Sequence, residues 1–205
     1  MPRKANFTRE DIVSTALEIV RKEGIDALSY RVLGKKFGAS ASPVLTYFKT
    51  MEDLHSAVRK EAIKVLYEYL KDCTDYVPAF KAYDIRLIRF AKEDNNLYRL
   101  IYLNSEAESE GLDHFASICM ETMMKGYGLT EEQKTSLISQ TWVYCCGLAM
   151  LTSSGAMKLT EDEICDCLGR QFLSVFQYIK SGKELPNIEP HKRDADKQVL
   201  TLKIE

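Results

Sequence analysis

Six cysteines and three histidines carry the most reactive side chains of this 205-residue chain. Their spacing points away from a metal centre. Cys165 and Cys167 are two apart on an expected helix, so they diverge rather than converge on one ion. Cys145 and Cys146 are adjacent and cannot bridge within a regular helix. His55, His114 and His191 are scattered and sit in no ligand-spacing motif. Structural thiols are the expectation, with Cys146 the one alternative for a reactive thiol. Glu106, Glu108 and Glu110 alternate on a polar loop and read as a solvated face, not a catalytic pair. The chain has no Ser-centred nucleophile elbow, phosphate loop or zinc-helix motif. The reading is therefore no enzyme, no cofactor and no metal, and the chemistry left is that of binding.

That chemistry concentrates in Ser29 to Phe48, SYRVLGKKFGASASPVLTYF. Two short helices are expected around a tight turn. Leu33 and Phe37 share a face of the first. Gly38 stands where a helix C-terminus wants a residue tolerant of positive φ. Ser40 and Ser42 offer caps for a second helix, with Pro43 acceptable in its first turn. Val44 and Phe48 point that helix back at the first. Two helices around a short Gly-containing turn form a helix-turn-helix, whose second helix can enter a DNA major groove. Any αα-hairpin needs similar punctuation, so the flanks decide specificity.

The supporting elements are helical throughout. The chain is 45% hydrophobic and 28% charged, with only 5 Pro and 10 Gly, and shows little β-alternation, so the expected fold is all-α with about nine helices. Thr8 with Asp11 starts a helix ending at Gly24, with Ile12, Val13, Ala16, Leu17 and Val20 as its apolar stripe. Thr50 with Asp53 caps a long helix reaching about Cys73. Further helices are expected from Pro78 to Ala91, Leu97 to Leu103, Leu112 to Lys125, Thr130 (capped with Gln133) to Ser154 and Thr160 (capped with Glu163) to Ser181, with Asp94-Asn95-Asn96 as a break. Residues 1–60 hold 11 Lys+Arg against 7 Asp+Glu, while the rest holds 17 against 23. A basic module on an acidic body fits DNA contact at one end. Residues 1–20 are amphipathic rather than secretory, and the most apolar run, Trp142 to Met157, is too short to span a bilayer. A cytoplasmic location without membrane contact is the expectation.

Residues 7–60 resemble the DNA-binding domain of the TetR family of transcriptional regulators. The resemblance is carried by a first helix ending at Gly24, Leu33-Gly34, Gly38-Ala39-Ser40, and Tyr47-Phe48-Lys49 followed by Glu52-Asp53-Leu54. Further on, Phe90-Ala91, Leu97-Tyr98-Arg99-Leu100 and Trp142 with Gly147-Leu148-Ala149 are similar to the ligand-binding domain of one subgroup, whose characteristic His is here Cys146. The resemblance implies a DNA-binding domain at 1–50, a ligand-binding and dimerisation domain at 51–182 and a tail at 183–205. It places Ala41, Ser42 and Pro43 where the family reads base edges and Arg31 where the preceding helix reaches a base or phosphate. Arg is the best bidentate reader of guanine. Thr46, Tyr47 and Lys49 are then phosphate contacts, which position without reading. Leu45 and Met51 depart from a common Tyr and a common Lys, and each deletes a phosphate partner.

The implied function is a ligand-responsive regulator, acting as a repressor, that binds a duplex DNA operator as a homodimer and is released by an unknown small-molecule effector. The other reading is a helical small-molecule-binding protein of the same fold with weakened or lost DNA binding. The expected dimer face is Leu148, Leu151, Leu168, Phe172, Val175, Phe176 and Ile179, beyond what one core needs. The expected effector cavity is lined by Tyr83, Phe90, Tyr98, Tyr102, Phe115, Met120, Met123, Met124, Trp142 and Cys146, large, soft or amphipathic side chains suited to a small ligand.

Overall fold

The computed structural model describes residues 7–71, 79–103, 126–183 and 185. All its regular structure there is helical. The helices are α1 (Arg9–Glu23), α2 (Tyr30–Lys36), α3 (Ser42–Tyr47), α4 (Met51–Leu70), α5 (Ala79–Glu93), α6 (Asn95–Tyr102), α7 (Glu131–Ser153) and α8 (Glu161–Lys180), with a 3-10 turn at Ile25–Ala27 after α1. The helix expected over 112–125 and the tail from 186 lie outside the described residues.

The start signals act as read. Thr8–Asp11, Thr50–Asp53, Thr130–Gln133 and Thr160–Glu163 each form a reciprocal capping box. In each, two orphan N–H groups at a helix start gain acceptors. Gly24 leaves α1 at φ 87°, as expected for its stop. The start of α3 corrects the sequence reading. Neither Ser40 nor Ser42 caps it: Ala41 holds the cap position with helical dihedrals and no side-chain bond, and Ser42 and Pro43 are the first helical residues. The backbone of Ala41 already accepts from Val44 and Leu45, so the helix closes without a hydroxyl. Asp94-Asn95-Asn96 is likewise less of a break than expected. Only Asp94 leaves helical geometry, and α6 begins at Asn95.

A head of α1–α3 sits on a trunk of α5–α8, with α4 running from one into the other. One apolar cluster spans both. It includes Ile12, Val20, Leu33, Val44 and Phe48 from the head, Leu54, Val58 and Leu66 along α4, and Phe90, Leu97, Leu148 and Leu168 from the trunk. A second, smaller cluster joins Leu129 and Leu137 to Phe172, Val175 and Ile179. Head and trunk are also joined by polar bonds. The Arg21 guanidinium donates twice to Asp94, at 2.5 and 2.6 Å, and the Asn96 amide donates to the Arg21 carbonyl at 3.1 Å. Arg59 of α4 donates to the Ile101 carbonyl of α6 at 3.0 Å. These bonds clamp α6 to α1 and α4. No helix of the described residues is long and apolar enough to cross a membrane.

Candidate nucleic-acid interface

The site begins with a glycine that has no room for a side chain. A Cβ on Gly34 would lie 2.7 Å from the Ser40 carbonyl oxygen and 2.8 Å from its carbon. The Gly34 carbonyl in turn accepts from the Ala39 N–H at 2.8 Å. This close backbone approach, with Gly38 at φ 64°, folds the chain sharply enough to set α3 against α2. Val44 and Phe48 are buried under the head. The opposite edge of α3 then faces solvent: Ser42, Leu45 and Thr46 are exposed, as is Lys49 just beyond the helix.

The residues expected at DNA fall on this face with graded exposure. Arg31 on α2 is exposed beside it, while Ala41 and Pro43 are half-buried. Thr46 is exposed, its hydroxyl donating to the Ser42 carbonyl at 3.3 Å and leaving its lone pairs outward. Tyr47 is 46% exposed, but its hydroxyl donates to the Phe7 carbonyl at 3.2 Å. Its oxygen is thereby turned to the start of the chain, a tie that spacing did not disclose. Phe7 stacks on Phe37 with ring centroids 4.4 Å apart, and the Arg9 guanidinium lies 4.8 Å over the Phe48 ring. The N-terminal strand of chain is therefore pinned beside both helices of the motif. Leu45, read first as a lost phosphate partner, is 40% exposed on the outer edge of α3. Met51 is half-buried and packs on the main core.

The trunk residues expected around an effector divide into three groups. Phe115, Met120, Met123 and Met124 lie outside the described residues. Phe90 is fully buried in the main core, beside Tyr69. Tyr98, Tyr102, Trp142, Cys146 and Tyr83 do come together. The Tyr98 and Tyr102 rings are 4.9 Å apart and Tyr102 and Trp142 6.4 Å, and the Tyr98 hydroxyl donates to the Cys146 carbonyl at 3.4 Å. Burial raises the phenols of Tyr98 and Tyr102 far above their ordinary range, and for Tyr102 the Tyr83 side chain works against that rise. Burial also pushes the Cys146 thiol up to about 12, which keeps it protonated and unreactive at neutral pH. Among the described residues no three His, Cys, Asp or Glu side chains could share a metal ion.

One functional group in this region escaped the sequence reading. Asp84 of α5 is buried, with the Cys145 thiol 3.6 Å from its backbone carbonyl and Cys146 also nearby. Burial pushes the carboxyl up to about 7, with the Cys145 thiol acting in the opposite sense. A signal existed: Asp84 occupies the i position of a stripe completed by Leu87, Ile88 and Ala91, all buried.

The residues expected at a dimer face divide between the core and the surface. Leu148, Leu168, Phe172, Val175 and Ile179 are buried within the single chain. Packing of α7 on α8 and α5 closes over them, so they are core. Only Leu151 is exposed and Phe176 half-buried. The apolar residues left outside are Val143, Met150 and Leu151 on α7 and Leu173 and Tyr178 on α8.

Head and trunk together define an all-helical protein with an N-terminal helix-turn-helix. Comparison with known proteins gives the class. A solved TetR-family protein from Vibrio parahaemolyticus superposes with a TM-score of 0.59 at 15% identity, covering 80% of this chain and 96% of that one. An HTH-type transcriptional repressor of Mycobacterium tuberculosis is 33% identical over 61 residues, 30% of this chain; the match spans 23% of that repressor's length. An HTH-type transcriptional regulator of the same organism is 25% identical over 166 residues, 76% of this chain and 74% of that one. No family model matches. The chain has the TetR fold, and its sequence is similar to one helix-turn-helix regulator over 76% of its length and to a helix-turn-helix repressor over 30%.

Proposed function

We propose that the protein is a ligand-responsive DNA-binding transcriptional regulator, a repressor that binds a two-fold operator as a homodimer and is released by a small-molecule effector. The supporting observation is the α2–turn–α3 unit. The Gly34–Ser40 backbone contact holds α3 with its apolar side buried, while Ser42, Leu45, Thr46 and Lys49 stand in solvent with Arg31 alongside. Such a probe enters a major groove, with Arg31 supplying a bidentate donor and the hydroxyl and methyl groups of α3 supplying short-range contacts.

One head reads too few base pairs for a specific site, which calls for a second copy. Support comes from α7, which is apolar on both sides. Its inner face holds Leu137, Cys145, Leu148 and Ala149, while Val143, Gly147, Met150 and Leu151 form an outer stripe. On α8, Gly169 and Leu173 continue it, and nothing lies within 4 Å of where a Cβ on Gly147 or Gly169 would be. Two copies pairing α7 and α8 through this stripe form a four-helix interface. The effector acts through the α6 clamp. A ligand that binds better to a trunk with α6 displaced pulls on Arg21, Asn96 and Arg59, and shifts the population towards a head spacing that mismatches the operator.

The deciding experiment is a mobility-shift titration on the DNA upstream of its own coding sequence at two salt concentrations. A shift that weakens steeply with salt is expected. No salt-sensitive shift overturns the regulator reading. It would favour the second one, a small-molecule-binding protein of this fold, which the exposed Leu45 and the Tyr47 hydroxyl bound to Phe7 support.

A further inference from the structure

Asp84 is the one acidic or basic residue among the buried residues described. Such a carboxylate is normally held by a cation or by several donors, because desolvation otherwise opposes its charge. On its own helix Lys92 is exposed, and Lys81 lies near enough to Cys165 of α8 to lower that thiol. Arg86 donates to the carbonyls of Tyr69 and Lys71 at the end of α4. Arg89 makes a two-bond pair with Glu161. What faces Asp84 from α7 is the thiol pair Cys145 and Cys146, and beyond Cys146 lie Tyr98, Tyr102 and Trp142. Asp84 and Tyr98 are buried, and Trp142 at the edge of the cluster is half-buried.

We infer that Asp84 anchors the ammonium group of a cationic small molecule whose apolar body lies along Tyr98, Tyr102 and Trp142. This names the chemical class of the effector and rests on the reading that the trunk holds one. Each part has a chemical reason. A buried carboxylate with no cation against it among the described residues favours a positive ligand over a neutral one of the same shape. Aromatic faces attract cations within about 6 Å of the ring centroid and accept a flat apolar body at the same time. The raised pKa of Asp84 fits this: empty, the site holds a proton near neutrality, and an arriving ammonium ion displaces it.

Trp142 is the only tryptophan of the chain, so its emission reports occupancy without any DNA. The full chain is titrated with 2-phenylethylamine and its naphthyl homologue, and in parallel with 2-phenylethanol and phenylacetate. Saturable change with at least one amine, at least tenfold tighter than with the alcohol or the acid, is expected. D84N, which keeps the shape and removes the charge, is expected to lose at least tenfold in amine affinity while its far-ultraviolet circular dichroism stays native. Equal binding of amine, alcohol and acid overturns the inference, as does no saturable response to either amine. Unchanged amine affinity in a folded D84N overturns it too. The wild-type comparison stands even if D84N fails to fold. An amine that binds a protein giving no mobility shift would sink the DNA-binding reading and leave this one standing.

Discussion

Gly34 decides the geometry of the head, because the atoms a side chain would meet there are backbone atoms of Ser40. Backbone cannot rotate aside as a flexible side chain can. Gly34→Ala is therefore expected to lower stability by about 1–3 kcal/mol, the usual range for forced overpacking, in urea unfolding, and to weaken DNA binding by tilting α3. A mutant with unchanged midpoint and slope would show that the turn yields freely. Asp84 gives a second expectation, with a definite sign. Its folded pKa is about 7 against an ordinary 3.8. Between those values the native state holds a proton that the unfolded chain has released. Its favourable contribution is complete below about pH 4, falls as pH rises to 7 and is lost above it. Asp84→Asn is thus expected to flatten the decline of Tm between pH 4 and 7 and to stabilise the ligand-free protein at pH 8, by at most about 4 kcal/mol. A D84N protein whose Tm falls with pH as steeply as the wild type would disprove the assignment.

Among the elements, α3 has an unusual composition for a recognition helix. Its residues Ser42–Tyr47 include no charge and no amide, so on the proposed function strong bidentate reading would fall to Arg31 on α2. Arg31→Ala is expected to cost about 1–3 kcal/mol and to relax preference at one or two base pairs, whereas Lys49→Ala weakens all sequences alike and lowers the log–log salt slope by about 1. Binding to randomised duplexes at two salt concentrations separates the outcomes, and a uniform loss from Arg31→Ala would reassign that residue to phosphate. The helix starts behave more simply. Thr160 bonds both ways with Glu163, and Thr160→Ala is expected to remove about 1 kcal/mol in thermal unfolding without touching DNA affinity.

For the molecule as a whole, the outer stripe of α7 and α8 predicts assembly. Light scattering is expected to give twice the 23.4 kDa chain mass, and Leu173→Glu, at a residue 55% exposed, to return it to one chain and abolish the mobility shift. A monomeric wild type would refute this. The same stripe shows how far the pattern of residues was readable. α7 and α8 were visible as apolar beyond one face, yet five of the seven residues expected at the dimer face are buried within the chain. Periodicity counts apolar positions; it does not say which neighbour consumes them. Leu148 and Phe172 went to the chain's own core and Val143 and Leu173 were left outside.

The linear order of residues determined, by itself, what depends on groups within a few positions of one another. Four capping boxes, the stop at Gly24 and the helix-turn-helix punctuation follow from backbone groups that a neighbour satisfies or a glycine relieves. Charge segregation and the want of catalytic spacing were equally plain. Tertiary structure alone decided the bonds between distant parts: Arg21 to Asp94, Tyr47 to Phe7, the closure over Phe172, and the burial of Asp84 between α5 and α7 with no counter-ion among the described residues. Those depend on which faces meet once the helices pack. That is a property of the whole folded chain, because desolvation and partner geometry exist only after burial.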